Sequence, residues 1–94
     1  MAVQITEFDW TEPVLDKIES KHGVRSDEVE EAALIAPHVR RGRHGLYLLY
    51  GVTEDGRYLF VVFKNLGGGL VRPITARDMD QREQRLYRGA VGRR

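Results

Sequence analysis

Two apolar stretches, Leu46 to Val52 and Tyr58 to Lys64, flank a loop containing Asp55-Gly56, and this arrangement constrains the fold more than any other feature of the chain. Their aromatic, branched and leucine side chains favour extended backbone, and Asp-Gly suits the positive backbone angles of a tight hairpin turn. The second stretch is apolar on both faces, because Leu59, Val61 and Phe63 alternate with Tyr58, Phe60 and Val62. A strand with two apolar faces needs cover on both, so it is expected in the middle of a sheet. Leu70 to Thr75 is the next expected strand, reached through the glycine-rich connection Asn65 to Gly69. Pro73 within it cannot donate a ladder bond, which favours an edge or a bulge. Val39 to Arg43 carries a weaker strand signal.

Helical spacing brackets these strands. Thr11-Glu12-Pro13 opens a helix whose Val14, Leu15 and Ile18 share a face and which Gly23 stops. Ser26 is expected to cap a second helix, in which Val29, Ala32, Ala33 and Ala36 recur until Pro37. Asp80 with Glu83 three residues on forms a capping box for a last helix running to about Gly89. On it Met79, Leu86, Tyr87 and Ala90 form an apolar stripe, Arg82, Arg85 and Arg88 spread over the other side, and Glu83 falls inside the stripe. The expectation is an α+β domain over 1–94, with an antiparallel sheet of three to four strands, two N-terminal helices, one C-terminal helix and a disordered tail at 91–94.

With no cysteine among 94 residues, structural disulfides, cysteine-ligated zinc and thiol catalysis are excluded. The longest apolar run, Tyr58 to Phe63, is far below the ~20 residues that span a bilayer, and Met1 to Gln4 does not begin a signal peptide, so a cytoplasmic location without membrane contact is expected.

Charge divides the chain at Pro37. Up to that point there are three basic residues against nine acidic ones, whereas the remainder holds twelve basic residues, eleven of them arginine, against five acidic ones. Arginine suits planar, bidentate contact with phosphate, so the segregation suggests an acidic half and a half that faces a polyanion. A solvated basic face is the plainer reading. The stretch from Pro37 to Gly45 concentrates Arg40, Arg41, Arg43, His38 and His44, where a phosphate would be attracted. Arg41, Arg43, Arg72 and Arg77 are expected to contribute to one positive surface away from the acidic helices. The tyrosines Tyr47, Tyr50, Tyr58 and Tyr87 accompany them, and aromatic faces beside guanidinium groups are used in single-stranded RNA recognition, although core packing explains most of them.

No metal site or cofactor is expected: His22, His38 and His44 lack ligand spacing, and Gly67-Gly68-Gly69 has no following lysine and helix to make a phosphate loop. Ser20 and Ser26 do not sit in a nucleophile elbow. Arginine, histidine, glutamate and tyrosine remain, a set able to cleave RNA without metal. Glu83 either pairs with an arginine, Arg72 or Arg77, or rests in a cleft with a perturbed pKa, or bonds the backbone near Asp80 as the third residue of its capping box.

Phe8-Asp9-Trp10, then Lys21-His22-Gly23-Val24 with Glu28, Glu31 and Ala32, and later Arg72-Pro73-Ile74-Thr75-Ala76-Arg77-Asp78-Met79 with Glu83 and Tyr87, occur in this order. Together with Gly51-Val52-Thr53 and Gly56-Arg57 they make residues 8–88 resemble the BrnT family, the toxin half of type II toxin–antitoxin pairs. The resemblance implies a RelE-like fold and a metal-independent endoribonuclease that inhibits translation. It also implies a DNA-binding antitoxin of the BrnA type as partner, while a homo- or hetero-oligomer is left open by the sequence. Trp10, Lys21, His22, Gly23, Arg77, Glu83 and Tyr87 carry over. From these, Arg77, Glu83, His22 and Tyr87 are the candidate catalytic residues, with Lys21, Arg41, Arg43 and Arg72 as candidate RNA-binding residues. Thr11, Val14 and Ile18 depart from the acidic residue, lysine and asparagine usual in the family, which implies a different partner surface or an inactive relative. Two other readings use the same basic surface: a non-catalytic RNA-binding module, and an interaction protein docking an acidic partner.

Overall fold

The structure, a computed structural model, describes residues 4–92. Its elements in chain order are β1 (Glu7–Phe8), α1 (Glu12–His22), α2 (Ser26–Ile35), β2 (His38–Arg41), β3 (Leu46–Val52), β4 (Tyr58–Gly67), β5 (Leu70–Asp78) and α3 (Gln81–Val91). The strands form one sheet in the order β1-β5-β4-β3-β2. The two-faced apolar strand β4 is therefore central, as expected. Val52 pairs with Tyr58 across the Asp55-Gly56 turn, where Gly56 has a φ of 87°.

The sheet differs from the expectation in having five strands and in being mixed. β1 pairs with β5 in parallel, Glu7 opposite Leu70 and Phe8 opposite Val71. β5 also runs longer than the expected Leu70 to Thr75 and has neighbours on both sides, so Pro73 is not at an edge. The register shifts there, with Val62 opposite Thr75 and Phe63 opposite Pro73, so Ile74 is the extra residue of a bulge. The bulge accommodates the missing donor, and the Lys17 ammonium donates to the Ile74 carbonyl at 2.7 Å.

Alternation sends Leu59, Val61 and Phe63 of β4, Leu49 of β3 and Val71 of β5 to the face covered by α1 and α2. There they pack with Ile18, Val24, Val29, Ala32 and Ala33. Gly51 sits directly beneath α2, since a Cβ built on it would collide with the Ala32 carbonyl oxygen. The opposite face carries Tyr50, Phe60 and Tyr58, against which Met79, Leu86 and Tyr87 of the α3 region pack.

Helix ends follow local chemistry. Gly23 takes a left-handed φ of 61° and its N–H donates to the Glu19 carbonyl, closing α1 as expected. Ser26, expected as the cap of α2, is instead its first residue; Arg25 precedes the helix, and its N–H donates to the Glu28 carboxylate at 3.0 Å. The Asp80–Glu83 capping box of α3 is formed in both directions. α3 continues to Val91 with Gly92 at its C-cap, so 91–92 are not the tail expected there, and 93–94 lie outside the described residues.

Arg57, just before β4, joins three elements. Its guanidinium donates to both carboxylate oxygens of Asp78 at the end of β5, to Glu28 of α2, and to the carbonyls of His22 and Gly23 at the end of α1.

Candidate nucleic-acid interface

β2 is an edge strand, and its alternating side chains go to opposite sides of the sheet. His38 lies opposite Tyr50, and Arg40 opposite Leu48, on the side that α3 covers. Arg41 lies opposite Tyr47 on the other side, its guanidinium carbon 6.0 Å from the Tyr47 ring centroid. α3 comes alongside β2 because the Tyr87 hydroxyl donates to the Ala36 carbonyl at 2.8 Å, just before the strand begins. Between them runs a groove of about 330 Å³ lined by His38 and Arg40 from β2 and by Arg85, Leu86, Gly89 and Ala90 from α3.

The groove is cationic, with Arg40 on one wall and Arg85 on the other. Among the described residues no carboxylate pairs with Arg40 or Arg85. Leu86, Ala90 and the side-chain-free Gly89 give it an apolar floor on the helix side. Two cations, an imidazole and an apolar floor can hold a phosphate beside a nucleobase.

The residues expected from sequence are distributed differently. Arg77 and Glu83 do meet, through two hydrogen bonds of 2.8 Å from the guanidinium to the two carboxylate oxygens. The Asp80 N–H also donates to Glu83, and Arg77 lies 4.5 Å over the Phe60 ring. Two of the open alternatives for Glu83 thus hold together, the ion pair and the capping box. The hydrogen bonds from Arg77 hold the Glu83 carboxyl below the usual carboxylate range, outweighing the desolvation that would raise it. Tyr87 lies one turn further along α3, buried against Tyr58, with its hydroxyl engaged at Ala36.

His22 is elsewhere, at the end of α1, where its carbonyl accepts from Arg57, the residue whose side-chain hydrogen bonds chiefly hold the Asp78 carboxyl below its ordinary value. Lys21 is exposed beside it in the last turn of α1. Arg72 is on the α3 side of the sheet, opposite Lys64, and pairs with Asp9 at 2.7 Å. The expectation that Arg41, Arg43, Arg72 and Arg77 form one positive surface therefore needs correcting. Arg72 and Arg77 share a sheet face but are each neutralised by a carboxylate, Arg41 points to the other face, and Arg43 is in the β2–β3 turn.

The sequence points to the 37–45 stretch, and Arg85 is exposed as expected of the side away from the apolar stripe, yet it also lines the groove. Arg85 and Gly89 are four residues apart, a helical spacing that puts both on one face beside Leu86 and Ala90, and that spacing was the available signal.

Among the described residues no helix is long and apolar enough to cross a membrane, and no three histidine, cysteine, aspartate or glutamate side chains are grouped to hold a metal ion. No protein-family model matches the sequence, and no curated protein matches it. Among solved structures, the ribonuclease toxin BrnT of Brucella abortus is similar with a TM-score of 0.68, covering 80% of this chain and 97% of that one at 21% identity. At this identity the likeness is one of fold, and it agrees with the family resemblance of the sequence: three helices on a mixed five-stranded sheet make this chain a protein with the BrnT fold.

Proposed function

We propose that this protein is a toxin-type endoribonuclease that cleaves RNA without a metal ion, with the substrate strand seated in the groove between β2 and α3. The observation that carries this reading is the pair of arginines, Arg40 and Arg85, with which no carboxylate pairs among the described residues, on the walls of a groove that His38 also lines. The BrnT fold supports it, since the solved example from Brucella abortus is a ribonuclease toxin.

Cleavage by this route begins when a base removes the proton of the ribose 2′-hydroxyl, whose oxygen attacks the adjacent phosphorus. The bond to the 5′-oxygen breaks, that oxygen takes up a proton, and the products carry a 2′,3′-cyclic phosphate and a 5′-hydroxyl. Arg40 and Arg85 stabilise the phosphorane charge, and His38 supplies proton transfer, for which imidazole is the suited side chain near neutrality. Arg77, Glu83 and Tyr87 are positioning residues in this reading: the Arg77–Glu83 pair fixes the start of α3, and Tyr87 fixes its distance from β2. The toxin reading also gives the protein an antitoxin partner of the BrnA type, to be sought among the products of neighbouring genes.

The test is incubation of the purified, folded protein with single-stranded RNA and with ribosome-bound message in the presence of a chelator. Cleavage is expected, leaving cyclic phosphate ends, with turnover lowered roughly 10²-fold by Arg40→Ala or Arg85→Ala. RNA left intact would overturn the enzyme reading, and salt-sensitive binding without cleavage would select the RNA-binding module instead.

A further inference from the structure

The turn between β2 and β3 has an unusual backbone. The Leu46 N–H donates to the Arg43 carbonyl at 3.0 Å, and both central residues have positive φ, 58° for His44 and 75° for Gly45. This is the pattern of a type I′ hairpin turn, whose first central position favours glycine, asparagine or aspartate. His44 is the only non-glycine residue at positive φ among the described residues. A side chain held where glycine would be relaxed points to a role for that side chain.

The surroundings indicate which role. Arg41, Arg43 and His44 are all exposed, and no carboxylate pairs with them among the described residues. Beside them a hollow of about 200 Å³ is lined by Arg41, Gly42, Gly45, Leu46 and Tyr47. The Tyr47 ring is braced from behind, stacked on Phe63 at 5.5 Å and 15° between planes, while Arg41 approaches it. A braced aromatic ring beside a guanidinium is a stacking platform for an unpaired base. The strand itself links this tip to the groove, since at ~3.3 Å per residue the backbone of β2 from His38 to Arg41 covers about 10 Å and the turn follows directly.

We infer that the β2–β3 hairpin tip is a second contact for single-stranded RNA, so that a strand seated in the groove continues along the β2 edge, past Arg40, to Arg41, Arg43, His44 and the face of Tyr47. This rests on the proposal that RNA is the ligand of the groove. It adds that the hairpin makes binding depend on the length of the strand, and that it requires unpaired bases.

The experiment measures binding of 2′-O-methyl RNA, which cannot be cleaved by its own 2′-oxygen, as a dinucleotide and as a strand of about ten nucleotides, over a range of salt. For the longer strand, Arg41→Ala and Arg43→Ala should each reduce the slope of log affinity against log salt by about 0.7, the value for losing one phosphate contact on a single strand. The dinucleotide should bind these variants and the original protein alike. His44→Gly should raise the Tm yet weaken binding of the longer strand, which a purely structural histidine would not do. If Arg85→Ala lowers affinity while the hairpin variants keep the original slope and length dependence, the groove reading stands and the hairpin inference falls. Equal loss of affinity for fully paired RNA would overturn the requirement for unpaired bases, and no RNA binding by the original protein would overturn both readings.

Discussion

Replacing Gly89 by alanine should make the protein more stable and a worse RNA binder. Gly89 is an exposed residue near the end of α3, and a Cβ built on it meets, apart from its own helix's backbone and chain neighbours, no heavy atom of the described residues within 4 Å. The added methyl therefore has open space among the described residues. In a helix glycine is less favourable than alanine by about 0.8–1.0 kcal/mol, and the nearby helix end brings the expected gain to about 0.5–1 kcal/mol. For a chain of this length that is a rise of roughly 2–8 °C in Tm. The Cβ of a helical residue tilts towards the N-terminus, so the methyl projects over the turn carrying Arg85, into the groove that Gly89 lines. Thermal and urea unfolding would measure the first effect, and titration with a short, non-cleavable RNA the second. A stabilised variant that binds RNA as tightly as the original would refute the placement of RNA in the groove. A destabilised variant would refute the helix argument.

Gly51→Ala should destabilise by about 2 kcal/mol or more, because its methyl would collide with the Ala32 backbone rather than with a movable side chain, and urea unfolding would show a lower midpoint. Glu83→Gln should cost about 1–2 kcal/mol at pH 7 by breaking the pair with Arg77 while leaving an N-terminal cap. Glu83 has a depressed pKa in the folded state, so its contribution is complete above the ordinary glutamate value of about 4.3 and is lost as pH falls through the lower folded value. The loss of stability on acidification in that window should accordingly be shallower in Glu83→Gln. A parallel acid limb in both proteins would show that the pair contributes nothing there.

Most of the fold was legible because most elements carry their own periodicity. α1, α3, β3 and β4 each bury one or two apolar faces, and those faces are written into local spacing. β1 has no such signature. Its two residues, Glu7 and Phe8, are a strand only because the backbone of β5 accepts them, as when the Asp9 N–H donates to the Val71 carbonyl at 2.8 Å. β2 was faint for a related reason: half of its residues are arginine, and its extended form comes from pairing with β3. The Arg77–Glu83 pair could be read from the capping box and two candidate arginines. The groove could not, because its width depends on Tyr87 reaching Ala36 across fifty-one residues of sequence.

The parallel pairing of β1 with β5 also bears on the order in which the molecule can be assembled. On a ribosome Glu7 emerges long before Leu70, its partner in the sheet. Meanwhile β2, β3 and β4 follow one another in sequence and can join as a meander, at low loop-closure cost. A growing chain that has not yet reached Leu70 holds that meander with the far edge of β4 unpaired, open to other strands. β5 then fills the edge and gives β1 its place, so a segment made before the meander is fixed only once one made after it has arrived.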